Sequence, residues 1–95
     1  MDFKKKRFMS TVEHEIKRYV ELKGYVTSKK LMEWFNKDFI DPPNPTRVRE
    51  VLFRMYMKEK LDRIRVKTIG RSSEFIYFKP DNIPDIVKSY INEEE

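Results

Sequence analysis

The spacing of apolar residues changes partway along this chain, and that change limits the fold more than any other feature. Up to about Lys60 the apolar side chains recur at helical intervals. Beyond Asp62 they alternate with charged ones, the period of a half-exposed strand. A chain ordered this way stacks helices first and then lays a hairpin against them, which defines the α+β class. Its 95 residues are enough for one domain and not for two. A domain of this size has a modest core, so a second copy of the chain is a plausible source of further burial.

The run STVEHEIKRYVELKG reads as the first helix. Ser10 followed by Glu13 predicts a capping box, and Gly24 predicts a left-handed stop. Val12, Ile16, Tyr19 and Val20 form its inward stripe. Tyr25 and Val26 make a brief extended piece. Thr27 or Ser28 then caps a second helix whose Leu31, Trp34, Phe35 and Phe39 share a face. Asp41-Pro42-Pro43-Asn44-Pro45 must be a turn, and it also starts the third helix, with Asn44 at the cap and Pro45 at the first helical position. That helix is expected from Pro45 to about Lys60, with Val48, Val51, Leu52 and Met55 inward. Ile64 and Val66 then alternate with Arg63, Arg65 and Lys67 on a strand, residues 69–73 form a hairpin tip, and residues 74–79 return as a second strand. Phe75, Ile76, Tyr77 and Phe78 make this return strand apolar on both sides, so both faces should be covered. Pro80 ends it. Ile83, Ile86, Val87, Tyr90 and Ile91 give a last amphipathic helix with an acidic tail. The domain plan is thus a basic arm over 1–9, a folded body over 10–80, and a helix with its tail over 81–95.

Charge and composition narrow the functional classes. The formal net charge is +5, but from Asp81 onward five acids face a single base, Lys88. The preceding eighty residues therefore carry a net of +9, a balance that attracts polyanions. There is no cysteine, which excludes disulfides and thiolate chemistry. No apolar run approaches the ~20 residues of a membrane span and the start has no signal-peptide core, so a cytoplasmic location is expected. Alanine and glutamine are also absent while 39% of residues are charged, a bias compatible with a hot-environment source. His14 is the only histidine, sits between two glutamates, and is expected on the surface. One histidine without cysteines is too few ligands for a typical zinc site. Gly24 and Gly70 are the only glycines, so there is no glycine-rich phosphate loop. No enzyme, cofactor, metal or small-molecule substrate is expected.

Three stretches, GYVTSKKLMEWF, NPTRVREVLFRMYMKEKL and DRIRVKTIGRSSEFIYFK, follow one another as short strand and second helix, third helix, and hairpin. Over roughly residues 10 to 80 this order resembles the winged helix-turn-helix superfamily, in its small single-domain regulator form of archaeal or archaeal-viral type. Two departures stand out: the glycine usual just after the third helix is missing, with Lys60 in its place, and the turn before that helix is unusually rich in proline. The resemblance implies a three-helix core, a two-stranded hairpin wing and a closing C-terminal helix. It further implies sequence-specific binding of double-stranded DNA by a transcription regulator, the third helix entering the major groove by its N-terminal half and the wing touching backbone or minor groove.

Carried onto this sequence, the implied reading helix exposes Thr46, Arg47, Arg49, Glu50, Phe53 and Arg54, with Met57 beyond them. Arginine can grip guanine O6 and N7, Glu50 could accept from a cytosine amine, and Phe53 could pack on a thymine methyl. The free N–H groups at the start of this helix would offer a phosphate site. Phe53 and Met57 could instead pack against the basic arm or a second subunit, or simply be incompletely buried. In the wing, Arg63, Arg65, Lys67 and Arg71, with the small donors Ser72 and Ser73, would track phosphates. The same cations could also serve to protect an edge strand. Lys29 and Lys30, in the first turn of the second helix, stand where the resemblance implies a phosphate contact. They oppose the helix dipole, a misfit that a nearby anion would relieve. Lys4, Lys5, Lys6 and Arg7 could lie along DNA or pack with Phe3, Phe8 and Met9. The C-terminal helix could join two copies into a homodimer or close its own core. The rival reading is a protein–protein adaptor, against which stand ten bases and four acids over residues 45–79.

Overall fold

Each of the first three helices begins at a side chain that satisfies its first backbone donors. The computed structural model describes residues 11–67 and 73–93, arranged as α1 (Val12–Lys23), β1 (Tyr25–Val26), α2 (Ser28–Asp38), α3 (Pro45–Met57), β2 (Asp62–Lys67), β3 (Ser73–Phe78) and α4 (Asp85–Glu93). Thr11 caps α1 by accepting from the His14 N–H at 3.1 Å. This replaces the expected Ser10–Glu13 box. With Thr11 at the cap the third helical position is His14, and the Glu13 carboxylate pairs with Lys60 and Lys17 instead. Ser10 and the basic arm lie outside the described residues. Gly24 stops α1 at φ 89°, where a side chain would be strained, and its N–H reaches the Val20 carbonyl. Of the two caps open for α2, Thr27 is the one used.

The third helix is shorter than its pattern predicts. It ends at Met57, and Glu59 adopts φ 61°. The Glu59 N–H then bonds the Tyr56 carbonyl and the Lys60 N–H bonds the Met55 carbonyl, the paired bonds of a Schellman stop. The left-handed position therefore falls on Glu59, one residue before Lys60.

The sheet has three strands, one more than the two-stranded wing expected. β1 joins it, in the order β1-β3-β2, all antiparallel. Tyr25 lies opposite Phe78, and Arg63, Arg65 and Lys67 lie opposite Tyr77, Phe75 and Ser73. β3 is the central strand, and it is apolar on both sides because both its faces are covered. On one face Tyr77 and Val26 join the core of α1, α2 and α3, built on Ile16, Leu31, Phe35, Val48, Leu52 and Met55. On the other, Ile76 and Phe78 pack with Val66 and with Val87 of α4, which is fully buried. An α+β domain of four helices and a three-stranded antiparallel sheet results, an arrangement compatible with a winged helix. Among the described residues no helix is long and apolar enough to cross a membrane.

Candidate nucleic-acid interface

The inward stripe of α3 is buried as its spacing requires, so the opposite side faces out. Thr46, Arg47, Arg49, Glu50, Phe53 and Arg54 are all exposed. Thr46, Arg49, Phe53 and Met57 recur at helical intervals, so they share one line along the helix. Phe53 and Met57 keep 48% and 62% of their surface open, too much for core residues. The first turn of α3 carries no acid, so nothing there offsets the positive end of the helix dipole.

The start of α3 is less available to a phosphate than expected. The side chain of Asn44 accepts from both the Thr46 and Arg47 N–H groups, at 2.8 and 3.3 Å. Pro45 has no N–H to offer. The donors that would have held an anion are consumed by the helix's own cap, and the dipole remains as the attraction at this end.

The cations of β2 fall on one face of the strand, as alternation demands, but they do not share one environment. Arg63 is half-buried, whereas Arg65 and Lys67 are exposed. The Arg63 guanidinium carbon lies 3.9 Å from the ring centre of Phe75, 4.2 Å from that of Tyr56 and 5.4 Å from that of Phe53. Its Nη1 also donates to the Tyr77 hydroxyl at 3.5 Å. Arg65 stands at the outer edge of the same ring set, 6.0 Å from the centre of Phe75. One arginine thus joins α3 to the hairpin through aromatic faces, which attract cations by their quadrupole. The cation-bearing strand is thereby packed against Phe53 and Tyr56 of α3.

Tyr56 and Phe75 were not legible as part of this surface. The only hint was the spacing that puts Tyr56 one turn beyond Phe53, together with the alternation that puts Phe75 and Tyr77 on one side of β3. Lys29 and Lys30 are exposed, and no side-chain hydrogen bond, ion pair or ring contact ties them to the α3–β2 surface. Arg71 and Ser72 lie outside the described residues, and of Ser73 only the backbone position opposite Lys67 is described. His14 is exposed.

Lys60 reaches Glu13 at 2.6 Å, tying the turn after α3 to the first turn of α1, and Lys17 stands 3.5 Å from the same carboxylate. The hydrogen bond from Lys60, with the nearby positive charges, holds the Glu13 carboxyl below the usual glutamate value. Lys60 is thereby engaged in a pair within its own chain, at a solvent-exposed position. Among the described residues no group of three or more His, Asp or Glu is placed to hold a metal ion.

Comparison with protein-family models, with curated proteins and with solved structures finds no match for this chain.

Proposed function

We propose that the protein binds double-stranded DNA as a winged-helix regulator of transcription. The outer side of α3 lies in the major groove and the β2–β3 hairpin lies on the backbone or in the minor groove. The observation that carries this reading is the contact set of Arg63, which ties the cation-bearing strand β2 to Phe53 and Tyr56 on the same helix that exposes Arg47, Arg49 and Arg54. Arg49 reads base edges, and Arg65 and Lys67 contact phosphates whatever the sequence. The element order and the β1-β3-β2 sheet support the same reading.

Two copies bind together in this proposal. Val87 of α4 is spent on its own sheet, but Ile86 stays 37% exposed. Ile83, 41% exposed, lies before the helix rather than in it as its spacing predicted. Together they leave an apolar flank for a partner helix. A two-fold pair would meet half-sites about one helical turn apart, roughly 34 Å.

A second reading draws on the exposed Phe53 and Met57, which would equally suit an adaptor that binds another protein. Salt separates the two. A site that neutralises six or more phosphates loses about a thousandfold in affinity between 50 and 200 mM salt. The decisive experiment is selection from random duplexes at near-physiological salt, followed by footprinting of Arg49→Ala and Arg65→Ala. Arg49→Ala should relax the preferred sequence. Arg65→Ala should weaken all duplexes about equally. Affinity indifferent to salt, or footprints unchanged in both variants, would refute the DNA reading and leave the adaptor.

A further inference from the structure

Resting on the DNA reading above, we propose that Arg63 is a positioning residue: it fixes the hairpin against α3 and contributes none of its charge to a phosphate. The cations of β2 share a strand face, yet only Arg63 is half-buried. Four aromatic residues from two elements meet at its guanidinium. Phe53 and Tyr56 come from α3, and Phe75 and Tyr77 come from β3. A planar, weakly hydrated guanidinium can lie against several rings while still donating a hydrogen bond, which a compact ammonium cannot do to the same extent. To reach a phosphate, Arg63 would have to leave all three rings and the Tyr77 hydroxyl.

Its place in the strand gives the contact leverage. Arg63 is the second residue of β2, close to the short connection from α3, while Lys67 lies at the far end of the strand. Holding the strand at its root directs everything beyond it. A rigid duplex can be met by α3 and by the hairpin together only if the two are held at one angle. Loosening that angle weakens both sets of contacts at once, because ordering the surface is then charged to binding. No counterion release is lost, since no phosphate contact is lost.

Affinity for a labelled mixed-sequence duplex, measured across the range of about 50 to 200 mM salt, tests this on four proteins: the native chain, Arg63→Gln, Arg63→Lys and Lys67→Gln. Arg63→Gln should bind about tenfold more weakly at each salt concentration with the slope of log affinity on log salt unchanged, whereas Lys67→Gln should flatten that slope by about 0.9. Arg63→Lys should keep the native slope and recover little of the affinity. The proposal is overturned if Arg63→Gln flattens the slope and Arg63→Lys restores it, because Arg63 is then a phosphate ligand. It is equally overturned if Arg63→Gln only lowers the melting temperature and leaves affinity at working temperature intact. If the native chain shows no salt-dependent binding, the DNA reading fails. The positioning role is then judged on the unbound protein by hydrogen exchange of the β2 amides. Faster exchange in Arg63→Gln than in Lys67→Gln upholds it, and equal exchange ends it.

Discussion

Glu59 occupies a conformation that glycine enters freely and other residues do not. Its φ of 61° closes the Schellman stop of α3, and its side chain is exposed. Left-handed backbone costs a residue with a β-carbon roughly 1–2 kcal/mol, partly offset because glycine loses more freedom on folding. Glu59→Gly should therefore stabilise the fold by about 0.5–1 kcal/mol, read as a higher denaturation midpoint with an unchanged slope. The residue scale is also where the sequence was least informative. A missing glycine near Lys60 was visible, but which residue would turn left-handed depended on where the helix stopped. The role of Arg63 was hidden for a related reason. Alternation placed it with Arg65 and Lys67, and only the folded arrangement brings Tyr56 and Phe75 around it. The Ser10–Glu13 pattern misled because one residue of slip moves a cap, and Glu13 found Lys60 far along the chain.

At the scale of elements the sequence was far more legible. Periodicity separates helices from strands without knowledge of partners, and the buried stripe of α3 is the one its spacing predicts. That both faces of β3 are covered could be read from the apolar residues on its two sides. The pairing of β1 could not, since two residues carry too little pattern to show which strand they join. The best-defined start is that of α3, where one side chain serves two backbone donors and proline sets the first helical φ. Asn44→Ala should cost about 1 kcal/mol of stability by equilibrium denaturation. It should also expose the Thr46 and Arg47 N–H groups, so amide exchange at those two positions should quicken before any other part of α3 responds.

For the molecule as a whole, the contact between Glu13 and Lys60 links the first helix to the turn that leads into the sheet. The Glu13 carboxyl is held below its ordinary value of 4.5. A carboxyl depressed in the folded state adds stability above its unfolded value, and that contribution fades as pH falls through the folded one. Stability measured from pH 6 downward should therefore fall more gently in Glu13→Gln than in the native chain, with a difference of less than about 1 kcal/mol near neutrality because the pair is partly solvent-exposed. Equal slopes in the two proteins would show that the acid limb is set elsewhere.

The strand order has a bearing on how this protein comes to be made. The strand at the centre of the sheet is also the last of the three to leave the ribosome, and Tyr25 waits for Phe78 before it has a neighbour. Until then the three helices have no sheet at their back, and Val26 and Leu61 lack the Tyr77 that completes their side of the core. Contacts so distant in sequence form slowly compared with local ones. A nascent chain halted after β2 should remain open to proteases, and release of β3 should close the molecule in a single step.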